Sequence, residues 1–241
     1  MILRSSVDLE SIGARLALVI PAYNEEDCIG TVVRGFRELT DAEIVVVDNN
    51  SQDNTAQIAR EAGATVIHEA RPGYGSACLG GLKYLKNREQ GPPEVVAFAD
   101  GDGANEPAEL GVVTANVLAG HCDMVIGSRS VKAEPDSLTI PQRFGNRFAC
   151  FLILIKFGVL HTDLGPYRAI SWKSLLQIQM EDPDFGWTVE MQIKAAKYDL
   201  RVHEVDVQNY ARIGGESKIS GTARGVYLAG TKIISTILRY R

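Results

Sequence analysis

A short apolar run, Val95-Val-Ala-Phe-Ala-Asp-Gly-Asp-Gly103, ends in two carboxylates that stand one residue apart. In an extended chain, residues i and i+2 point to the same side, so the side chains of Asp100 and Asp102 can face one point. Gly101 and Gly103 leave room for a ligand close to the backbone. Carboxylate oxygens suit Mg²⁺ or Mn²⁺, which are commonly shared with the phosphates of a substrate. The pattern therefore predicts a metal site, and a solvated turn rich in Asp and Gly is the alternative.

Strands and helices alternate around this run through the first half of the chain. Residues 16–20, 44–47, 65–68 and the run from Val95 are predicted strands, and predicted helices separate them. This alternation predicts an α/β fold, a doubly wound and mainly parallel sheet with helices on both faces. In such sheets ligands bind beyond the carboxyl ends of the strands. We therefore expect Tyr23, Glu25, Asp48 and the Asp100/Asp102 pair to line one crevice.

The second half of the chain is less regular. Residues 144–160 are strongly apolar, and residues 223–240 form an amphipathic pattern that carries several bases. We interpret both segments as helices that pack against the rest of the protein. The alternative is that one of them lies along a membrane face, with its bases on the polar side.

Composition restricts the class of protein. The chain has 241 residues, 45% of them hydrophobic, which predicts one ordinary globular domain, and its net charge of −5 argues against a nucleic-acid partner. The four cysteines lack metal or redox spacing, the first ten residues lack the core of a signal peptide, and no segment is apolar enough to span a bilayer. We expect a cytoplasmic protein with free thiols. Peripheral contact with the inner face of the cell membrane and homo-oligomer formation stay open.

Seven short motifs follow one another along the chain: Val19-Ile-Pro-Ala-Tyr-Asn-Glu25, Val46-Val-Asp-Asn-Asn-Ser-Gln-Asp-Asn-Thr55, Arg71-Pro-Gly-Tyr-Gly-Ser-Ala77, Ala99-Asp-Gly-Asp102, Gly127-Ser-Arg129, Asp163-Leu-Gly-Pro-Tyr-Arg168 and Arg212-Ile-Gly-Gly-Glu-Ser-Lys218. In this order they resemble the inverting family 2 nucleotide-sugar glycosyltransferases, and within them the branch of dolichyl- and polyprenyl-phosphate sugar synthases. The resemblance implies the GT-A fold, a Rossmann-like nucleotide half joined to an acceptor half in one domain. The nucleotide-sugar half would cover about residues 16–128 and the acceptor half about 129–220, with residues 221–241 as a C-terminal amphipathic helix.

The resemblance also implies where the nucleotide lies. Pro21, Tyr23 and Glu25 match the motif that holds the base and ribose in this family. Asp48 would accept a hydrogen bond from the base, and capping the following turn is its alternative role.

Further donor contacts are implied around the acidic pair. Asp100, followed by Gly101, would bind on the ribose or base side, and Asp102 would bind the metal that bridges the diphosphate. Arg71 and Gly73 belong to a loop expected to close against the nucleotide, with an ordinary glycine-rich turn as the alternative.

Four cations are candidate phosphate clamps, since negative charge builds on the departing nucleoside diphosphate during sugar transfer. These residues are Arg129, Arg143, Arg212 and Lys218. Arginine binds phosphate through two parallel hydrogen bonds, so Arg129 and Arg212 are the favoured catalytic cations. Plain surface charge is the alternative for each.

The acceptor decides whether a general base is needed. A lipid phosphate is already anionic, whereas a hydroxyl must lose its proton to a carboxylate, for which Glu190 is favoured over Asp184. From the resemblance we expect one sugar to move from a nucleotide sugar, UDP rather than GDP, to a polyprenyl-type lipid phosphate. A hydroxyl acceptor, an inactive nucleotide-binding module and a sugar-phosphate nucleotidyltransferase are the alternatives. The chain departs from the family pattern at Asn49, where many relatives have a second acid.

Overall fold

The structure, a computed structural model, describes residues 13–134, 137–212, 214 and 223–240. Within these residues, seven strands form one sheet: β1 (Leu16–Ala22), β2 (Glu43–Asp48), β3 (Thr65–His68), β4 (Val95–Phe98), β5 (Met124–Ser128), β6 (Arg168–Ser171) and β7 (Val202–Asp206). The α-helices are α1 (Ile29–Arg37), α2 (Thr55–Glu61), α3 (Tyr74–Asn87), α4 (Leu110–Leu118), α5 (Ile140–Phe157), α6 (Trp172–Ile178), α7 (Trp187–Lys197) and α8 (Ala223–Arg239).

The strands lie in the order β3-β2-β1-β4-β6-β5-β7, and every neighbouring pair is parallel except the two that involve β6. The predicted mainly parallel sheet is therefore confirmed. The antiparallel β6 enters between β4 and β5, so the second half of the chain completes the sheet beside the first half.

Alternation along β1 explains why helices cover both faces of the sheet. Leu16, Leu18 and Ile20 pack into one buried cluster with α1, α2 and α4, whereas Ala17 and Val19 pack into a second cluster with α3, α6 and α7. Successive side chains of a strand point to opposite faces, so a strand that is buried on both sides must be apolar throughout. The predicted helices on both faces are confirmed.

A third buried cluster joins α5, α7 and α8. It contains Ala149 and Ile153 of α5, Val189 and Ile193 of α7, and Ile237 of α8. Helix α5 begins at Ile140, earlier than the apolar segment predicted, because Thr139 and Gln142 form a capping box that starts the helix. This cluster holds the second half of α5 against α7 and α8.

The same edge collects the ends of the central strands. Ala22 at the end of β1 lies beside Asp48 at the end of β2, and Val19 pairs with Phe98, the last residue of β4. The residues that follow β1, β2 and β4 therefore meet above one edge, as parallel strands require.

All four cysteines are buried and free. No helix in the described part of the chain combines the length and apolar character needed to cross a bilayer.

Close packing of α3 against β1 generates a stability prediction. A Cβ atom at Gly81 would come within 2.7 Å of Val19 Cγ1, whereas one at Gly145 in α5 would meet nothing within 4 Å. Alanine favours helix over glycine by about 1 kcal/mol, but overpacking a core costs about 1–3 kcal/mol. Gly81→Ala should therefore lower the free energy of unfolding in urea, and Gly145→Ala should raise it. Equal stabilisation by both substitutions would contradict the close approach.

Candidate active site

A cavity of about 760 Å³ opens at the carboxyl edge of the sheet. Both halves of the chain contribute to its walls. The expected donor residues Pro21, Tyr23, Glu25, Gly73, Asp100, Gly101 and Asp102 line it, together with Arg129 and Arg212. The structure therefore brings most of the predicted site residues into one cavity.

The acidic pair forms the floor of this cavity. After β4 the chain stays extended, and the Ala99 amide donates to the Val19 carbonyl at 3.3 Å. The Asp100 amide donates to the side-chain oxygen of Asn105 at 2.9 Å, and the hydroxyl of Tyr74 donates to the Asp100 carboxylate at 3.2 Å. Asp102 accepts from the Ala104 amide at 3.0 Å, which fixes the turn that follows it.

The two carboxylates destabilise each other's charge. Desolvation and the neighbouring Asp102 charge raise the pKa of Asp100 to about 7, although Arg129, Tyr74 and Arg212 act in the opposite direction. A divalent cation with oxygen ligands fits this donor set, since it would compensate both charges. In the described residues no group of three or more His, Cys, Asp or Glu side chains converges. The protein oxygens here therefore suit a cation that takes its other ligands from water and substrate phosphate, as Mg²⁺ commonly does.

Arg212 reaches the acidic pair from the segment after β7. Asn209 forms an isolated bridge with Asn105, and the Tyr210 amide donates to the Ala104 carbonyl at 2.9 Å. Arg212 then bonds both carboxylate oxygens of Glu25 at 2.6 and 2.7 Å. Another of its nitrogens lies 3.4 Å from Asp102. One guanidinium thus links the end of β1 to the end of β4.

The pKa of Arg212 is raised. Burial lowers the pKa, but the hydrogen bond that Arg212 donates to Glu25 and the charges of Asp102 and Glu25 outweigh that effect. The guanidinium therefore stays charged at the place where two carboxylates meet.

Arg129, directly after β5, is fixed by a buried partner. Its side chain makes two hydrogen bonds to the Asp163 carboxylate at 2.7 and 2.8 Å, and its backbone amide makes a third at 2.8 Å. The Asp163 side chain is only 1% exposed. Burial would lower the pKa of Arg129, but its hydrogen bonds to Asp163 and the charges of Asp163, Asp100 and Asp102 raise it. Arg129 therefore presents a fixed positive charge to the cavity.

Asn49 shapes residues 69–73, which contain the loop expected to close on the nucleotide and which we call the nucleotide loop. Its side chain donates to the carbonyls of Glu69 and Arg71 at 3.0 and 2.8 Å and accepts from the Gly73 amide at 2.9 Å. Gly73 has φ +125°, and a Cβ there would overlap the Pro183 carbonyl oxygen. The residue that departs from the family pattern therefore holds this loop in place.

Other predicted residues lie away from the cavity lining. Asp48 is buried beside His68, 3.2 Å away, and accepts from the Ser51 amide at 3.3 Å, which matches its alternative role in the turn. The Arg71 and Arg143 side chains are exposed and do not line the cavity. Lys218 lies outside the described residues.

Glu190 has partners that differ from those expected of a general base. It is fully buried, accepts from the backbone amides of Glu181 and Asp182, and lies 2.9 Å from the Lys194 ammonium. The Tyr240 hydroxyl donates to it at 2.6 Å. The geometry thus corrects the preference for Glu190, because the carboxylate is fully engaged outside the cavity. Asp184 is half-buried beside Phe185, which lines the cavity.

Several residues at the site were absent from the predicted set. They are Asn49, Tyr74, Asn105, Asp163, Asn209 and Tyr210, and all but Asp163 line or support the acidic floor and the nucleotide loop. Asp163 and Tyr74 lie within the seven motifs, so the motifs marked them without revealing their partners. Asn209 and Tyr210 follow β7 with no motif of their own.

The sequence is similar to those of known glycosyltransferases. The family model for glycosyl transferase family 2 matches residues 17–177. An uncharacterized glycosyltransferase of Mycobacterium tuberculosis is 33% identical over 223 residues, covering 90% of this chain and 95% of that protein. A dolichyl-phosphate hexose transferase of Haloferax volcanii is 29% identical over 231 residues, covering 94% of this chain and 95% of that protein.

One solved structure carries the fold comparison. Glucosyl-3-phosphoglycerate synthase from Mycobacterium tuberculosis, in complex with Mn²⁺, UDP and glucosyl-3-phosphoglycerate, superimposes with a TM-score of 0.74 at 21% identity. The match covers 94% of this chain and 80% of that one. The predicted GT-A fold is confirmed.

The buried Arg129–Asp163 pair generates a pH-dependent prediction. Burial raises the pKa of Asp163, but bonds from the Arg129 guanidinium and from the backbone amides of Arg129 and Leu164 hold it below its ordinary value of 3.8. A lowered carboxyl pKa contributes stability above the ordinary pKa and loses it as the pH falls through the folded value. Asp163→Asn should cost on the order of 3 kcal/mol in urea unfolding at neutral pH, because Arg129 loses its partner charge.

The difference between Asp163→Asn and the unsubstituted protein should shrink as the pH falls below about 4. Asp123→Asn is the matched control, since Asp123 pairs with an Arg201 side chain that is 56% exposed. An exposed pair of this kind is screened by solvent and contributes little to stability, so Asp123→Asn should cost much less. Equal losses for the two variants would contradict the assigned role of Asp163.

Proposed function

This chain belongs to glycosyl transferase family 2, and we propose that it transfers one sugar from a UDP-sugar to a polyprenyl-type lipid phosphate. The observation that carries the proposal is the convergence of Asp100, Asp102, Arg129 and Arg212 on one cavity. A sugar–diphosphate donor needs cations at its leaving group, and these four residues supply or recruit them. Transfer inverts the sugar carbon, as the family resemblance implies.

The donor would lie along the ends of β1, β2 and β4. Pro21, Tyr23 and Glu25 would contact the nucleoside, and the loop at Gly73 would cover it. UDP is favoured over GDP because the glucosyl-3-phosphoglycerate synthase with the same fold is described in complex with UDP. The walls formed by Tyr23 and Phe185 would keep water from the reacting carbon.

Asp102, with Asp100 beside it, would hold Mg²⁺ or Mn²⁺. When bound, such an ion supplies positive charge to the diphosphate as the leaving group departs. The Mn²⁺ and UDP in the structural neighbour support this assignment. Arg212 lies 3.4 Å from Asp102 and so already stands within reach of a diphosphate held at that carboxylate.

The acceptor phosphate would approach from the side of Arg129. Its anionic oxygen would form a bond to the anomeric carbon while the bond from that carbon to the diphosphate oxygen breaks, and the nucleoside diphosphate leaves with the electron pair. No proton has to be removed, which accords with the engagement of Glu190 elsewhere. The dolichyl-phosphate hexose transferase among the relatives supports a lipid-phosphate acceptor.

A hydroxyl acceptor is the second candidate. Asp184 would then be the base to test, because it is half-buried and adjoins Phe185, which lines the cavity. The two candidates differ in their need for a base, and this difference can be measured.

Removal of the predicted metal ligand tests the donor assignment. Asp102→Asn should weaken Mn²⁺-dependent UDP binding by about tenfold or more in calorimetry, because a neutral amide binds a hard cation poorly. Asp199→Asn is the control, since Asp199 is exposed after α7 and its φ of 53° is one that asparagine also adopts. Unchanged affinity in the Asp102 variant would overturn the metal assignment.

Substitution of Asp184 distinguishes a lipid-phosphate acceptor from a hydroxyl acceptor. If the acceptor is a lipid phosphate, Asp184→Asn should change turnover by no more than about threefold, since no base acts. A general base contributes about 10²–10⁴-fold, so a hydroxyl acceptor predicts a loss of that size. The measurement is release of nucleoside diphosphate, with a prenyl phosphate and a prenyl alcohol compared as acceptors. A hundredfold loss would exclude the base-free account.

A further inference from the structure

Helix α5 exposes a stripe of large apolar side chains. It consists of Ile140, Phe144, Phe148, Phe151 and Ile155, and we call these five residues the α5 stripe. Ile140 is 83% exposed and Phe144 is 72% exposed, and the rings of Phe144 and Phe148 stack with their centroids 6.3 Å apart. Spacings of three and four residues place all five on one side of the helix.

The opposite side of α5 is the one that packs on the protein, and its residues are smaller. Ala149, Cys150 and Ile153 are buried there in the cluster with α7 and α8. Buried apolar area stabilises a fold by about 25 cal/mol per Å², so packing alone would place the phenylalanines inward. A contiguous apolar face of this kind marks an interaction surface.

Basic side chains border the α5 stripe. The sequence of α5 contains three bases and no acid, although the whole chain has a net charge of −5, and one of these bases, Lys156, donates to the carbonyls of Ile237 and Leu238 in α8. Helical geometry places Arg143 and Arg147 along one edge of the stripe, and both side chains are exposed. The surface therefore suits an anionic partner.

The stripe begins at the rim of the active-site cavity. Thr139 and Gln142, which start α5, line that cavity together with Ser137 and Leu138. An acceptor that follows the stripe toward the start of α5 would therefore arrive at the cavity opening.

We propose that the α5 stripe docks on an anionic phospholipid membrane and admits the acceptor lipid at the start of the helix. Bulky apolar side chains bordered by arginines are typical of helices that lie in the plane of a bilayer. A second copy of the chain is less favourable, because a twofold interface would bring the same arginines of both copies together. The delivery of the acceptor rests on the proposed function, whereas the docking itself does not.

Vesicle co-sedimentation tests the docking. The full chain should bind vesicles of equal parts phosphatidylglycerol and phosphatidylcholine, and bind phosphatidylcholine vesicles far more weakly. Phe144→Asp should lower binding to the mixed vesicles by about tenfold or more, because a carboxylate must then enter the interface. Arg147→Gln should lower it about fivefold, the equivalent of about 1 kcal/mol per base near an anionic surface. Leu176→Asp is the matched control, since Leu176 is a 53% exposed residue of α6 and should leave binding unchanged.

Turnover separates failure of the docking from failure of the proposed function. Phe144→Asp should lose transfer to a long-chain polyprenyl phosphate in vesicles and keep transfer to a short-chain prenyl phosphate dispersed without vesicles. Vesicle binding that equals the control in every variant would overturn the docking, even if short-chain transfer persists. A dimer that Phe144→Asp dissociates, without vesicle binding by either protein, would overturn it in favour of a second copy. Vesicle binding without transfer to either lipid would instead refute the proposed acceptor.

Discussion

Two carboxylates held side by side at the end of β4 impose the electrostatic constraint on which the site depends. Burial and mutual repulsion raise the pKa of Asp100 to about 7, and Glu25 adds a further negative group at the end of β1. Negative charges that are partly removed from water are stable only with cations near them. Among the residues that the structure describes, the cations that line this cavity are Arg129 and Arg212, and both come from the second half of the chain. The site therefore lacks these two positive charges until β5 has joined the sheet and the segment after β7 has packed beside it.

The two arginines meet this constraint in different ways. Arg129 is committed to Asp163, which lies deep in the protein, so its guanidinium keeps one orientation. Arg212 bonds Glu25 and approaches Asp102, and both of these acids face the cavity. On the proposed function, a donor diphosphate and its cation would bring their own opposite charges to the same place. Arg212 could then move toward the diphosphate while the cation takes its place beside Asp102, whereas Arg129 would provide the fixed reference point.

Periodicity and strand-end rules predicted the parts of the site that depend on local sequence. The positions of Tyr23, Glu25, Asp100 and Asp102 follow from where the two parallel strands β1 and β4 end, and the structure places all four at one cavity. The antiparallel entry of β6 was not predicted, because a four-residue strand carries no information about its direction.

The sequence pattern also could not predict which carboxylate each arginine would pair with, because the partners lie far apart in the chain. Arg129 and Asp163 are 34 residues apart, and Arg212 and Glu25 are 187 apart. These pairs form only once the sheet order is set, so composition and spacing could suggest the arginines but not their carboxylates. Asn49 was recognised as a departure from the family, yet its bonds to the nucleotide loop depend on the neighbouring β3 end.

Glu190 illustrates how a carboxylate can matter to a site without facing it. Its two oxygens hold the amides of Glu181 and Asp182, so they fix the segment that leads to Pro183. The Pro183 carbonyl in turn accepts from the Ser76 amide at 2.8 Å at the start of α3, where the nucleotide loop ends. Because Gly73 approaches the same carbonyl too closely for any side chain, the position of that segment determines how the loop can sit. The contacts of Glu190 therefore connect it to the loop at Gly73 through the backbone, and its carboxylate does not line the cavity.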